Sequence, residues 1–476
     1  MMPPMHPRKT KIVCTLGPAT DSAERIATLM DTGMDVVRLN FSHGRREDHR
    51  ATIRRIRDVA ESRGREIGIL QDLGGPKIRL GVLPNEGVLL EAQHMVELAV
   101  DGEAPPGTLP VNYPYLLEDV APGETILLAD GAAELEVVQV LSDRLSCRVV
   151  NGGMLTSRKG VNLPQANLRV PAVTEKDFLD LEVGLEEGVD FVALSFVRHE
   201  NDLAPVREKL AGLKHPPLLI AKIEKPQAVE RIEPIIETVD GIMVARGDLG
   251  VEMPPEKVPV IQKKIIDVAR RAGRPVITAT QMLRSMVDSP RPLRAEASDV
   301  ANAVLDGTDA LMLSEETAIG NYPIEAVGML NRVALEAEAF LDHTSWATEG
   351  ESPNVPDITG AISRAACRLA QEIGAAVIVT TTTSGSTARL IARHRPARPV
   401  LGMTTSVEVA RQLSLSWGVI PTTTEETSDL SVLGKVLLNE LDSQALASKG
   451  DHVVIAAGLP LGFSDSANVL RIHQLA

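Results

Sequence analysis

The chain has 476 residues, too many for one ordinary hydrophobic core, so we expect two to four domains. Hydrophobic residues make up 44% and charged residues 24%, which excludes a disordered chain, and the net charge of −15 argues against nucleic acid as the main partner. Widely spaced cysteines, no leader segment and no long apolar run predict a cytoplasmic protein with no membrane partner.

Short apolar runs alternate with amphipathic, helix-period stretches through most of the first 340 residues. The runs predict eight strands, at residues 11–16, 35–39, 66–71, 190–195, 218–223, 241–245, 275–279 and 310–313. Eight strands that alternate with helices predict an α/β fold, a parallel (β/α)8 TIM barrel formed by residues 1–75 and 172–343.

One connection differs from the others, since residues 76–171 separate the third predicted strand from the fourth. Apolar and polar residues alternate there, with turn residues between the runs, in VLLEAQHMVELAV, ETILLAD, AELEVVQV and LSCRVV. We expect residues 76–171 to form a small β-barrel domain inserted in a loop of the large barrel, with proline at both junctions.

A polar, proline-bearing stretch after Phe340 is typical of a linker. Residues 355–476 then begin with a helix, predicted over 358–373. The runs AVIVTTT, PVLGMTT, GVIPTTT and HVVIAAG alternate with further helices. This pattern predicts a smaller, doubly wound α/β domain.

Catalytic groups of a (β/α)8 barrel occupy the C-terminal ends of its strands. Polar or ionic residues stand at almost every such end: Arg38, Asn40 and Ser42, then Asp72, Ser195, Lys222 with Glu224, Arg246 with Asp248, Thr280, and Ser314 with Glu315 and Glu316. A purely structural barrel would end only some strands this way. Interleaved cations and carboxylates at so many ends favour a catalytic site.

Residue spacing refines this prediction. Residues two apart on a strand share a face, so Lys222 and Glu224 can point into one cavity. Glu224 and Asp248, on adjacent strands, offer two carboxylates to a hard divalent ion such as Mg2+. The alternative is a pair of salt bridges, Lys222–Glu224 and Arg246–Asp248.

The stretch ARGDLG places glycines at positions 247 and 250. They let the backbone turn into a short helix whose N–H groups can take an anion, to which Thr280 would add a hydroxyl. A divalent ion, a lysine, an arginine and backbone donors together suit phosphoryl transfer. The chain contains no P-loop motif.

A second candidate site lies in the C-terminal domain, where a predicted strand runs into hydroxyl residues and a glycine before a helix. The residues are Thr382, Thr383, Ser384, Gly385, Ser386 and Thr387. They can wrap a phosphate at the start of the helix. The alternative is a well-capped helix that follows a Ser/Thr loop.

The chain resembles the pyruvate kinase family in nine motifs that occur in the family's order. These are TKIVCTLGPAT, GMDVVRLNFSHG, DLGGPKIR, KGVNLP, KIEKPQAVE, DGIMVARGDLGVE, ITATQML, RAEASDVANAVLDGTDALMLSEETAIGNYPIEAV and TTTSGSTARL. The resemblance implies phosphoryl transfer from phosphoenolpyruvate to ADP, giving pyruvate and ATP, with Mg2+ or Mn2+. It also implies a homotetramer.

The resemblance further implies roles for single residues. Glu224 and Asp248 resemble the divalent metal ligands. Lys222 would stabilise the transferring phosphoryl group, and Arg38 would hold the phosphate. The substrate carboxylate would be held by Gly247, Asp248 and Thr280, the proton path would include Thr280 and Ser314, and the nucleotide would be faced by His43, Arg79 and Lys159. The inserted domain would close as a lid. The loop Thr382–Thr387 resembles the family's allosteric sugar-phosphate pocket.

Two motifs depart from the common family pattern, and in the first the usual Thr, Lys and Glu are Leu73, Gly74 and Lys77. Many members carry a glutamate where this chain has Lys77, and they need K+, which is held by groups matching Asn40, Ser42, Asp72 and the carbonyl of Leu73. We expect the Lys77 ammonium to replace K+, as in a K+-independent branch of the family. The alternative is a solvent-facing Lys77 beside the lid hinge.

The second departure is Glu315, where the family usually has glycine. We expect this extra carboxylate to alter local pKa values without removing activity.

Two other functions stay open. Metal-dependent aldolases also use barrels with carboxylate ligands, but they lack the inserted domain and the last domain. A sensor that binds sugar phosphates without catalysis would be expected to have lost Arg38, Lys222, Glu224 or Asp248, and all four are present.

Overall fold

The computed structural model describes residues 8–84, 87–102, 105–343, 346, 358–425, 441, 446–458 and 467–475. The N-terminal seven residues and most of the predicted linker lie outside these ranges. The domain boundaries predicted from the sequence stay predictions.

The chain begins with three parallel strands and two helices: β1 (Lys11–Thr15), α1 (Ala23–Thr32), β2 (Val36–Asn40), α2 (Arg46–Ser62) and β3 (Gly68–Leu73). Helix α1 begins after Ser22, whose hydroxyl accepts a hydrogen bond from the Arg25 N–H. Strand β3 runs two residues further than its predicted end. Asp72 and Leu73 therefore belong to the strand, where neighbouring strands hold them in register.

The insertion after β3 is built mainly from β-strands. Its elements are β4 (Val88–Leu90), β5 (Met95–Val100), β6 (Leu109–Val111), α3 (Leu116–Asp119), β7 (Thr125–Leu128), β8 (Ala133–Val140), β9 (Leu145–Asn151), β10 (Gly153–Leu155) and β11 (Val161–Asn162). Six of the strands pair in the order β11-β7-β8-β9-β5-β6. The sequence did not predict β6, β10, β11 or α3, because elements this short show no clear alternation.

Residues 79–80 close the six-stranded sheet into a small barrel. Arg79 bridges to Gly160 beside β11, and Leu80 bridges to Val111 in β6, so the segment lies between the two edge strands. The predicted inserted β-barrel is therefore confirmed. We call residues 76–171 the lid.

The chain then returns to the large barrel with helices and strands in alternation. These are α4 (Glu175–Glu187), β12 (Phe191–Leu194), α5 (Ala204–Leu210), β13 (Leu218–Ile223), α6 (Pro226–Glu230), α7 (Ile232–Thr238), β14 (Gly241–Ala245), α8 (Arg246–Glu252), α9 (Val258–Arg271), β15 (Val276–Ala279), α10 (Arg294–Leu305), β16 (Ala310–Leu313), α11 (Glu315–Ala318) and α12 (Pro323–Glu338). Short 3-10 turns occur at Glu200–Leu203, Pro255–Lys257 and Arg284–Val287.

Eight parallel strands close the large barrel in the order β1-β2-β3-β12-β13-β14-β15-β16, which confirms the predicted TIM barrel. Its interior is filled by apolar side chains such as Val36, Ile220 and Met243. Leu415 of the C-terminal domain joins the same cluster. All C-terminal strand ends lie at one mouth because the strands are parallel.

The C-terminal domain contains α13 (Ile358–Glu372), β17 (Val377–Thr381), α14 (Ser386–Ala392), β18 (Val400–Thr404), α15 (Val407–Leu413), β19 (Val419–Thr423), β20 (His452–Ala457) and β21 (Val469–Gln474). The sheet order is β19-β18-β17-β20-β21, and β21 pairs antiparallel. Buried clusters cover both faces of the sheet, as a doubly wound fold requires. None of the helices in the described ranges has the length and apolar character needed to cross a membrane.

Candidate active site

Four charged side chains from three strands form a continuous ion-pair chain at the mouth of the barrel. The Arg38 Nε lies 2.7 Å from Asp72 Oδ2, and the Lys222 Nζ lies 3.1 Å from Asp72 Oδ1 and 3.0 Å from Glu224 Oε1. Lys222, Asp72 and Glu224 are all less than a tenth exposed. The sequence-predicted cations and carboxylates of these strands are therefore brought together.

Ser195 and Phe196 support this chain from the end of β12. The Ser195 hydroxyl donates to the Leu73 carbonyl at 2.8 Å, so its lone pairs accept from Lys222 Nζ at 2.7 Å. The Phe196 N–H donates to Glu224 Oε2 at 2.6 Å, and Phe196 has a φ of 57°. A positive φ at a bulky residue indicates backbone strain, which is common at functional sites. The sequence placed Ser195 at a strand end but did not predict this role.

Burial and neighbouring opposite charges shift the pKa values of these ion-paired residues in opposite directions. Burial opposes the charge of Asp72, but Lys222 and Arg38 outweigh it and lower the pKa of the carboxyl. Burial also opposes the charge of Lys222, yet Asp72 and Glu224 raise the pKa of the ammonium. For Glu224, burial prevails over Lys222 and raises the pKa to about 7, and the charge of Asp248 acts in the same direction.

The predicted short helix after the sixth strand is present as α8. At its first turn the Gly247 N–H donates to the Thr280 hydroxyl at 2.6 Å, and that hydroxyl donates to the Ala279 carbonyl at 2.6 Å. Thr280 has a φ of 69°, which is rare for a β-branched residue. The structure thus joins Gly247 to Thr280, and their binding of a carboxylate stays a prediction.

The sequence allowed two salt bridges, Lys222–Glu224 and Arg246–Asp248, as the alternative to a metal site, and the structure contains only the first of them. Lys222 does pair with Glu224, but Arg246 pairs with Asp299 at 2.7 Å. Asp248 is left facing the cleft between barrel and lid. A simple Arg246–Asp248 ion pair is therefore wrong.

A cavity of about 440 Å3 lies between the lid and the barrel mouth. Its lining includes Lys77, Arg79, Lys159, Asp248 and Asn162. His43 does not line this cavity, although burial together with the charges of Lys77 and Arg79 lowers its pKa. Two of the three residues predicted to face a nucleotide therefore share one cleft, and the third lies within electrostatic reach.

Three of the groups expected around a monovalent cation, Asn40, Asp72 and the Leu73 carbonyl, already have partners. The Asn40 side-chain oxygen accepts from the Ser42 N–H at 3.1 Å. Both Asp72 oxygens and the Leu73 carbonyl are engaged by Arg38, Lys222 and Ser195 as described. The pKa of Lys77 is lowered, because burial and the charge of Lys222 outweigh the opposing effect of Asp72 and Glu224.

The end of the eighth strand separates two neighbouring glutamates. Glu316 is buried and accepts hydrogen bonds from the N–H groups of Leu283, at 3.0 Å, and Ser314, at 2.8 Å. Glu315 is exposed and pairs with Arg284 at 2.7 Å. The extra carboxylate thus lies at the surface, paired with an arginine.

The hydroxyl loop of the C-terminal domain lies between β17 and α14, as predicted. Thr382 Oγ1 accepts from the Gly385 N–H at 2.9 Å, and Arg389 donates to the Ser384 carbonyl at 2.9 Å. Burial lowers the pKa of Arg389 to about 10. These contacts stabilise the loop from within, and phosphate binding there stays a prediction.

The carboxylates present fit a divalent cation of the Mg2+ type. No group of three histidine, cysteine or carboxylate residues is placed to hold a metal among the described residues. Mg2+ in phosphate-handling sites commonly takes only one or two carboxylates, with substrate oxygens and water completing its shell. Glu224 and Asp248 would provide such a pair, and a cation beside them would offset the repulsion that helps to raise the Glu224 pKa.

A TIM barrel with a buried lysine, an arginine and two carboxylates at its mouth, covered by a lid that brings more cations, defines an enzyme for phosphate-bearing anions. Residues 7–327 match the family described as pyruvate kinase, barrel domain, and residues 360–473 match pyruvate kinase, alpha/beta domain. The chain belongs to the pyruvate kinase family.

Individual relatives agree with this assignment over nearly the whole chain. It is 44% identical to a pyruvate kinase of Geobacillus stearothermophilus, covering 98% of this chain and 81% of the relative. It is 45% identical to a pyruvate kinase of Agrobacterium vitis, covering 98% and 97%. The crystal structure of a pyruvate kinase from Cryptosporidium parvum superposes with a TM-score of 0.93 at 36% identity, covering 98% and 96%.

Proposed function

We propose that the protein transfers the phosphoryl group of phosphoenolpyruvate to ADP, giving pyruvate and ATP. The observation that carries this proposal is the buried Lys222 ammonium, which is paired with both Asp72 and Glu224. Asp72 also pairs with Arg38, so two cations share this carboxylate. Phosphoryl transfer depends mainly on positioning and on neutralising charge, which this arrangement supplies.

In the proposed reaction the bond between phosphorus and the enol oxygen breaks as a bond to a terminal ADP oxygen forms. Arg38 holds the phosphate, and Lys222 stabilises the moving phosphoryl group and the enolate left behind. Gly247, Asp248 and Thr280 orient the carboxylate. The enolate then gains a proton at carbon along a path that includes Thr280 and Ser314.

We propose that Glu224 and Asp248 hold Mg2+ or Mn2+, which when bound neutralises phosphate and enolate oxygen charge. The lid, residues 76–171, closes over the barrel, residues 1–75 and 172–343, and excludes water. His43, Arg79 and Lys159 face the nucleotide. A matched pair of variants tests the core of the proposal: Lys222→Met is expected to abolish pyruvate formation, whereas Lys209→Met, on the barrel surface, is expected to retain it.

We also propose that Lys77 replaces K+. Its charge acts on the same carboxylates that surround Lys222, and three groups equivalent to K+ ligands, Asn40, Asp72 and the Leu73 carbonyl, already have internal partners. An ammonium on a flexible stem supplies the missing positive charge without a bound ion.

The test is pyruvate formation with K+ replaced by tetramethylammonium at matched ionic strength. Wild type is expected to be fully active without K+, and Lys77→Glu is expected to need K+. Lys209→Glu changes the net charge equally and is the control. Wild-type activity only with K+ would refute the role of Lys77 while leaving the enzyme assignment intact, and no turnover in either buffer would favour the sensor.

Two further properties follow from family membership as proposals. A phosphorylated metabolite binds the loop Thr382–Thr387 of the C-terminal domain, residues 355–476, and regulates activity. Four chains form a homotetramer, and the exposed apolar side chains of Phe340, Ile319 and Ile358 are candidates for the contacts. Sedimentation at increasing protein concentration, with and without sugar phosphates, tests both.

A further inference from the structure

Asn162 of the lid, which lines the cleft, is joined to the buried Glu252 of the barrel. The Asn162 Nδ2 donates to Glu252 Oε1 at 2.7 Å. Asn162 ends strand β11, three residues after Lys159, and Glu252 ends helix α8. This contact ties the nucleotide-facing edge of the lid to the helix that carries Asp248.

Lys225 donates to the same oxygen of Glu252. Its Nζ lies 2.5 Å from Glu252 Oε1, and the two residues are only 5% and 3% exposed. The second oxygen, Oε2, is buried and has no partner in the described part of the chain. Because a buried carboxylate needs its donors, the lid contact adds to the stabilisation that Lys225 gives Glu252.

The cluster adjoins both predicted metal ligands without containing either. Lys225 directly follows Glu224, and its ammonium lies 6.0 Å from the centre of the Phe196 ring. The Phe196 N–H in turn holds Glu224 Oε2. On α8, Glu252 lies four residues after Asp248, on the same face of the helix. A change at Glu252 therefore reaches both carboxylates through one or two covalent or hydrogen-bonded steps.

We propose that Asn162, Glu252 and Lys225 form a latch that couples closure of the lid to the placement of Glu224 and Asp248. Asn162 and Glu252 are then positioning residues for the reaction, and this inference rests on the proposed function. With the lid closed, Glu252 has two donors and fixes the end of α8. With the lid open, it keeps Lys225 alone, and α8 and the segment after Glu224 are less constrained.

A reciprocal exchange tests the latch. Asn162→Asp places a second carboxylate beside Glu252, and the two repel each other. This change is expected to lower kcat/KM for ADP by about tenfold or more, because Glu224 and Asp248 are then misplaced. Glu252→Gln leaves Lys225 without its counter-charge and is expected to lower kcat. In the double variant the carboxylate now at position 162 accepts from Lys225 and from the amide now at position 252, so kcat/KM is expected to recover to within about threefold of wild type.

Lid position is followed in the same variants by energy transfer between dyes on Ser142→Cys and Ser298→Cys, both exposed positions. The native cysteines are buried and stay unlabelled. Asn162→Asp is expected to separate the dyes, and the double variant to bring them back. Asn151→Asp breaks a similar Asn–Glu contact, to Glu134 within the lid, where neither residue lines the cleft, and is expected to change neither readout.

The outcomes are distinct. Unchanged dye distance and kinetics in Asn162→Asp would overturn the latch, as would additive losses in the double variant. If wild type forms no pyruvate, the proposed function fails, and the dye distances alone decide the latch. Equal losses in Asn162→Asp and Asn151→Asp would mean general disturbance of the lid and would overturn it as well.

Discussion

The ammonium of Lys222 lies 2.7 Å from the hydroxyl oxygen of Ser195, the residue that follows the neighbouring strand β12. Because Ser195 gives its only proton to the Leu73 carbonyl, the direction of this hydrogen bond is fixed, and Lys222 is the donor. Ser195 is thus a third partner of the lysine, beside Asp72 and Glu224.

Removing this hydroxyl is expected to disturb the lysine more than the fold. We predict that Ser195→Ala lowers kcat by about tenfold to a hundredfold with little change in KM for phosphoenolpyruvate, because Lys222 acts in the transition state. Ser363→Ala removes an equally buried hydroxyl, which donates to the Thr359 carbonyl at 2.7 Å in the C-terminal domain. Steady-state kinetics and thermal unfolding of both variants test this prediction. An equal loss of kcat in Ser195→Ala and Ser363→Ala would contradict it.

Metal binding is expected to depend on pH through Glu224. Burial raises the pKa of Glu224 to about 7, so protons compete with the metal as the pH falls below that value. We predict that Mn2+ affinity, measured by electron paramagnetic resonance, drops by about tenfold from pH 8 to pH 6. Glu224→Gln is expected to bind weakly at both pH values, and a wild-type affinity that does not change with pH would refute this account.

His394 is expected to make the fold sensitive to acid. Burial and the charges of Arg393, Arg364 and Arg270 lower its pKa from 6.5 to about 3. The unfolded chain therefore binds a proton that the folded chain does not. This stabilisation is full above about pH 6.5 and is lost as the pH falls towards 3.

We predict that His394 contributes a slope of up to about 1.4 kcal/mol per pH unit in the free energy of unfolding across this window. His394→Gln should flatten the dependence measured by urea unfolding, whereas His452→Gln, at an exposed position, should keep it. Parallel curves for wild type and His394→Gln would show that other groups control the acid response.

Arg395 joins the C-terminal domain to the barrel through a bidentate pair with Asp309. The two N–O distances are 3.0 and 2.8 Å, and both side chains are almost fully buried. We predict that Arg395→Met lowers the free energy of unfolding by about 3–5 kcal/mol, since it leaves Asp309 buried without its cation.

The exposed pair of Arg368 with Glu372 provides the control. Arg368→Met is expected to change the free energy of unfolding by less than about 1 kcal/mol, because solvent already screens that pair. Chemical denaturation of both variants measures the difference. Similar small losses would mean that the Arg395–Asp309 pair adds little to the stability of the domain contact.

Much of the architecture is determined by the sequence alone. The eight apolar runs predict the barrel strands, because buried parallel strands need continuous apolar residues and the helices between them show a period of 3.6. The strand ends reveal Arg38, Asp72, Lys222 and Glu224, since parallel strands bring their C-terminal ends to one mouth. The motif order reveals the family.

Only the tertiary structure decides which charges meet. Residues 246 and 248 look like an ion pair in sequence, but the turn into α8 directs Arg246 to Asp299, distant in sequence, and leaves Asp248 at the cleft. The Ser195 contact and the Asn162–Glu252 latch join residues 27 and 90 positions apart. Periodicity reports which face of an element is buried, whereas side-chain pairing between elements depends on strand register and lid position, which only the packed chain fixes.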